Sequence, residues 1–313
     1  MSRNGSAWRR SISISGAGGT IAMGELKLRK SVLLFLVPGL LIYCLFFIVP
    51  FLQTAYYSFF NWDGINKPVY SGLNNYMSMF KDPLFVGGIW KIAVWALLAV
   101  LIKVGAALVL ANALRDKIKG SAFFRSSYFM PVVISSSAMC LIFMLMYDKD
   151  VGIINQALRA VGLQELACGW LSEDKTAFYA TIAVPIWHTI GLFFIILLAG
   201  LQDISGEIYD SAVIDGAGAW VTFTRITIPL LWGVLQICII LAITGAFKNF
   251  DYIFILTGGG PGTTTEVPAT IMYKTAFVTL KYGYGMAMAM FIFLLSLVVS
   301  LLFKQLTKTR VEF

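Results

Sequence analysis

Leu201-Gln-Asp-Ile-Ser-Gly-Glu-Ile-Tyr-Asp210-Ser-Ala-Val-Ile-Asp-Gly-Ala-Gly-Ala-Trp220-Val-Thr-Phe-Thr-Arg-Ile-Thr-Ile-Pro229 is a polar island between two apolar runs. A tight turn would be enough to join two membrane helices, yet this connection is far longer and carries the marks of structure. Ser205 or Asp203 can cap a helix, and Glu207 falls in its first turn, where a carboxylate suits the positive end of the helix dipole. Tyr209, Ala212, Val213 and Gly216 follow helical spacing and share a face. Asp215-Gly216 then breaks the helix. The pattern predicts a short helix, Ser205 to Gly216, held at a membrane surface by its flanking spans and built to press on something.

The flanking runs belong to a series. The chain has 313 residues, 58% of them hydrophobic and 13% charged, with a mean hydropathy of +0.80. That is not the composition of a soluble globular domain. Apolar stretches near the ~20 residues needed to cross a bilayer fall at Ser31–Phe51, Gly87–Ala113, Tyr128–Tyr147, Ala177–Leu201, Leu230–Phe250 and Gly283–Phe303. They lack the alternating polarity of membrane strands, so they read as six helices whose backbone groups are satisfied internally. The expected fold class is therefore all-α, a polytopic integral membrane protein with six transmembrane helices.

The net charge of +8 does not point to nucleic acid, because Lys and Arg are distributed by side. With the N-terminus inside, the inner segments hold twice as many basic residues as the outer loops. The dense Lys27-Leu-Arg-Lys30 cluster precedes the first span, and this excess places both termini in the cytoplasm. Residues 1–27 read as a disordered tail with no signal-peptide core, and Met23 is an alternative start. Residues 28–306 read as one membrane domain containing the 202–229 island, and 307–313 as a second tail. Cys44, Cys140, Cys168 and Cys238 show no metal-ligand spacing, so neither a disulfide nor a metal site is expected.

Catalytic and nucleotide-binding patterns are missing. The chain has no Gly-Lys dipeptide and hence no P-loop, no Gly-x-Ser-x-Gly elbow, and one histidine, His188. The glycine-rich Thr257-Gly-Gly-Gly-Pro-Gly-Thr-Thr-Thr265 segment resembles a phosphate loop only superficially, and faces outward where no ATP is available. Its glycines permit backbone shapes that other residues resist. Gly152 to Val161 has helical periodicity and reads as a surface helix. Breakers interrupt the spans at Pro38-Gly39, at Pro131, which opens the third, and at Pro185.

The spacing Asp210-Ser-Ala212, Asp215-Gly-Ala217, Phe223, Ile226 and Ile228-Pro229 resembles the "EAA" loop of type I ABC importer permeases. Phe124-Arg-Ser-Ser-Tyr-Phe-Met-Pro131 with Gly152-Ile-Ile-Asn155, and Leu256-Thr-Gly-Gly-Gly-Pro-Gly262 with Tyr282-Gly-Tyr-Gly285, resemble the carbohydrate-uptake branch of maltose-type and multiple-sugar permeases. The likeness runs from Leu28 to the C-terminus. It departs where the family's Glu-Ala-Ala is Asp210-Ser211-Ala212, and where the usual helix-opening proline is Ser205. The resemblance implies that the island is a coupling helix docking on a cytoplasmic ATPase subunit. Glu207, Asp210, Ser211, Ala212, Asp215, Gly216, Ala217, Phe223 and Pro229 are then the coupling residues. It implies a second homologous permease, two ATP-binding subunits that carry ATP-Mg, an extracytoplasmic solute-binding protein and a sugar substrate. This chain would hold no cofactor of its own and do no covalent chemistry, in a bacterial plasma (inner) membrane.

The pathway candidates come from the residues themselves. His188, beside the Pro185 bend and between Trp187 and Thr189, is either a functional intramembrane group or a neutral histidine bonded to a neighbouring helix. Asn249 and Asp251 suit sugar hydroxyls, with Phe247, Phe250 or Tyr252 to stack on a sugar face; interfacial anchoring explains them equally well. Tyr284, Met286, Met288 and Met290 step by two and cannot line one helix face. Lys103, deep in the second span, either snorkels inward or pairs with a partner. A non-sugar or glycerol-phosphate-type solute remains an alternative cargo. A membrane-embedded enzyme is disfavoured, because no acid, base or metal cluster occupies the spans.

Overall fold

The structure, a computed structural model, describes residues 30–115 and 120–307. The tail expected over 1–27, the last residues of the 307–313 tail, and Lys117 and Lys119 lie outside the described residues. The chain divides into two units, Met1–Phe51 and Leu52–Phe313.

Four helices are long and apolar enough to cross a membrane: Leu36–Tyr57, Pro83–Ala113, Asp174–Gln202 and Tyr282–Leu306, here spans one, two, four and six. Two more runs are bent pairs: Ser121–Val133 with Ser136–Met146, at 97°, and Ala219–Leu230 with Trp232–Lys248, at 75°. These are spans three and five. Side-chain bonds show that each pair carries the chain from one end of the bundle to the other. At one end the Arg115 guanidinium lies 3.8 Å from the centroid of the Tyr209 ring, the Tyr209 and Thr227 hydroxyls approach to 3.4 Å, and Trp232 Nε1 donates to the Thr307 carbonyl at 3.0 Å. At the other end Lys91 Nζ donates to the Thr263 carbonyl at 2.6 Å, and Thr264 Oγ1 to Asp174 at 2.8 Å.

The third span is not the straight Tyr128–Tyr147 helix expected. It begins seven positions earlier, and Pro131 lies inside its first half rather than at its start. Ile134 and Ser135 are extended, and the Ser135 hydroxyl accepts from Ala138 N–H at 3.3 Å, so a new helix is capped within the run. The fifth span is likewise preceded by Ala219–Leu230, which bends at Leu231 just after Pro229. By contrast, Pro185 sits inside a continuous helix.

Spans two, four and five make the main core through Trp95, Phe194, Leu197, Leu201, Leu231 and Leu235. Lys103 does not snorkel. It is 6% exposed in a π-helical turn, Ala99–Val104, with Nζ 5.1 Å from the centroid of Phe193. A buried ammonium without water favours such an aromatic face. The helix expected after Gly152 is Ile153–Ala160; its fully buried Asn155 donates to the Cys168 carbonyl at 2.9 Å and accepts from Trp170 Nε1 at 2.8 Å.

Span four touches the first half of span three across Gly191. A Cβ there would lie 2.0 Å from the Tyr128 carbonyl oxygen. Small residues let membrane helices approach at backbone distance. Gly191→Ala should cost about 1–3 kcal/mol by overpacking, read as a lower Tm in detergent thermal unfolding. An unchanged Tm would show that the two helices separate at no cost.

Candidate functional site

The island folds as the sequence indicates. Gly206–Ile214 is a helix with Ser205 at its N-cap position, although the Ser205 side chain makes no capping bond. Glu207 occupies the first turn. The helix stops in a Schellman motif: Ala217 N–H donates to the Ala212 carbonyl at 2.9 Å, Gly216 N–H to Val213 at 3.0 Å, and Gly216 has φ +74°. A side chain at that φ would be strained, so glycine sets the stop.

The predicted face divides. Ala212 is buried and Tyr209 half-buried, whereas Val213 is 72% exposed. Beside it Ile214 is 85% and Trp220 75% exposed. Asp210 and Asp215 are exposed, and Ser211 returns its hydroxyl to the Glu207 carbonyl at 2.8 Å. Phe223 is half-buried and opens a π-helical turn, Phe223–Thr227; Pro229 is exposed. A rigid helix thus offers a carboxylate-flanked apolar ridge to solvent, while Tyr209, against Arg115 and Thr227, fastens it to the bundle.

The pathway candidates do not form one lining. His188 is 4% exposed and fully engaged: Nε2 is 3.0 Å from the Ile134 carbonyl oxygen and Nδ1 is 2.6 Å from the Tyr252 hydroxyl. A carbonyl only accepts, so Nε2 carries a proton and donates it to Ile134, while Nδ1 meets the Tyr252 hydroxyl, a group able to donate or accept. Of the two readings of His188, this geometry matches the bonded histidine. Thr189 donates to the Pro185 carbonyl at 2.7 Å, within its own helix. Trp187 is half exposed and sits edge-on to Phe143, with ring centroids 5.6 Å apart. Phe247 is in the main core and Asn249 is the half-buried C-cap of span five. Asp251 is exposed and accepts from Ser136 Oγ at 3.3 Å. Tyr284 is elsewhere, packed with Met79, Phe85 and Met288.

Two features went unread in the sequence. Glu266, 3% exposed, pairs with Lys274 and accepts from Thr270 Oγ1 at 2.5 Å, while Lys274 Nζ also donates to the Gly258 carbonyl at 2.6 Å. This locks the glycine loop internally; the Thr265 hydroxyl is engaged by Thr257 and Gly260. A lone glutamate ahead of the apolar Val267-Pro-Ala269 was the available signal. The other is a cavity of about 870 Å³ beside the island helix, walled by Arg115, Ser121, Arg125, Tyr209, Asp210 and Val213. No group of three or more His, Cys, Asp or Glu suited to a metal occurs among the described residues.

A helical chain of six apolar runs with this loop-held helix matches known proteins. The family model described as "binding-protein-dependent transport system inner membrane component" matches residues 103–311. YurN of Bacillus subtilis, a probable ABC transporter permease, is 36% identical over 282 residues, covering 89% of this chain and 96% of that one. MsmF of Streptococcus mutans, a multiple sugar-binding transport system permease, is 34% identical over 275 residues, covering 88% and 94%. A bacterial ABC transporter that imports the acidic polysaccharide alginate contains a chain of the same fold, with a TM-score of 0.79 at 20% identity, covering 92% of this chain and 98% of that one. The chain belongs to the family of inner-membrane components of binding-protein-dependent transport systems.

His188→Leu should leave the buried Tyr252 hydroxyl without its partner, at about 1–3 kcal/mol, remove the bond to the half-buried Ile134 carbonyl, and lower the Tm in detergent. Transport per assembled complex should hold. A normal Tm with lost transport would return His188 to the solute pathway.

Proposed function

We propose that this chain is a permease subunit of an ATP-driven, binding-protein-dependent importer of oligosaccharides. It forms half of the translocation pathway with a homologous permease. The observation that carries the mechanical part is the exposed ridge of Val213 and Ile214 on a helix stopped at Gly216 and tied down at Tyr209. Exposed aliphatic groups on a short fixed helix suit burial in a partner's groove. The partner is a cytoplasmic ATP-binding subunit, and two of them hold ATP-Mg. Both termini are then cytoplasmic, in agreement with the basic excess of the inner segments.

Closure of the ATPase pair would draw two such helices together and shift the spans between inward-open and outward-open arrangements. ATP drives this only if it binds one arrangement better than the other. An extracytoplasmic binding protein then delivers solute from outside. That assignment is supported by a relative fold solved with its alginate-pentasaccharide-bound periplasmic protein. The sugar class is supported by the multiple sugar-binding transport system permease MsmF and by AmyD of Thermoanaerobacterium thermosulfurigenes, a probable starch degradation products transport system permease, 31% identical over 277 residues.

The test is the complex reconstituted in liposomes with its binding protein. Sugar-loaded binding protein should stimulate ATP hydrolysis and sugar uptake, and glycerol phosphate should not; the reverse preference overturns the sugar class. Ile214→Asp should reduce the co-purifying ATPase subunit about tenfold or more, corresponding to ~1.4 kcal/mol per decade. Full retention of the ATPase would refute docking through this ridge.

A further inference from the structure

The cavity beside the island helix contains an unsettled charge. Arg125 projects from the first half of span three, and its Nε is buried with no hydrogen-bond partner among the described residues. Such a group calls for an explanation, because buried guanidinium nitrogens are ordinarily bonded. Arg115 stands in the same wall with its guanidinium against the Tyr209 ring. Among the described lining residues Asp210 is the one acidic group against two arginines, so positive charge is in excess there. Val213 lines the cavity and at the same time belongs to the exposed ridge. The charged socket and the ridge are therefore one continuous surface.

We propose that this socket receives a carboxylate side chain of the ATP-hydrolysing partner, with Arg125 as its counter-ion. The inference rests on the docking read above and adds a second contact, on the segment before span three. A fork of guanidinium donors fits a carboxylate in geometry and charge. A macromolecule fits better than a small soluble anion, because the neighbouring Val213, Ile214 and Trp220 also need cover. The contact gives the Phe124-Arg-Ser-Ser-Tyr-Phe-Met-Pro131 stretch a mechanical role. Its arginine links the docked subunit to span three, while the island links it to span five.

The experiment uses the complete complex with its ATPase subunits. Arg125→Lys places an amine in the socket, and a water-soluble carbodiimide joins an amine to a touching carboxylate as an amide, being itself hydrated to the urea. The expected result is a new crosslink, absent without the substitution, from position 125 to an Asp or Glu of the ATPase subunit. A crosslink only to Asp210 of the same chain, or none at position 125, overturns the proposal. Arg125→Glu should lower co-purified ATPase at least tenfold at low salt, with the loss in Arg125→Lys much smaller. If Ile214→Asp strips the ATPase and Arg125→Glu does not, the socket is wrong while ridge docking stands; if neither does, the docking itself fails. Protection of the isolated permease against heat by inorganic phosphate, with no crosslink, overturns the proposal in favour of a soluble anion.

Discussion

A helix that breaks within a span leaves amide and carbonyl groups without their helical partners, and each must find another. Span three breaks at Ile134-Ser135, and side chains at the break and on span four take up that role. The Ser135 hydroxyl serves the amide side. His188 of span four serves the carbonyl side and passes its other nitrogen to Tyr252 of the helix Asp251–Leu256. One imidazole therefore joins three separate elements. Gly191, one turn further along span four, lets the first half of span three approach closely enough for the bond to form.

The island helix and the membrane core follow different physics. The core is closed: Phe194, Leu197, Leu201, Leu231 and Leu235 bury one another with little polar content. The Gly206–Ile214 helix keeps its largest aliphatic groups in the open and fixes its own position through one aromatic ring. Family membership makes sense of the contrast, since an inner-membrane component works by contact with other chains. The locked Glu266–Lys274 pair at the opposite end shows the reverse arrangement, with its polar groups satisfied within the chain.

How much was legible follows from the range of each interaction. The island helix was readable because its start, its face and its Asp215-Gly216 stop are local, and the Schellman bonds span five residues. The six crossings were readable from hydropathy. The break in span three was not, because Ser135 sits in a largely apolar stretch and only its capping bond marks the new start; the triple serine at 135–137 was the missed sign. His188 could be noticed but not interpreted, as Tyr252 and Ile134 lie 64 and 54 positions away. Lys103 could be read either as snorkelling or as paired, and its aromatic counterpart could not be foreseen because Phe193 lies on another span. The Arg125 cavity depends on three segments meeting and has no signature along the chain.

The bonds that Trp232 and Gln236 make to Thr307 carry a consequence of their own. Both donors stand just past the 75° elbow of span five, and both grip the final turn of span six. Two donors on one helix thus share a single acceptor residue at the end of another. Displacing the elbow from the end of span six breaks both bonds together, so the two helices are moored to each other at this end of the bundle.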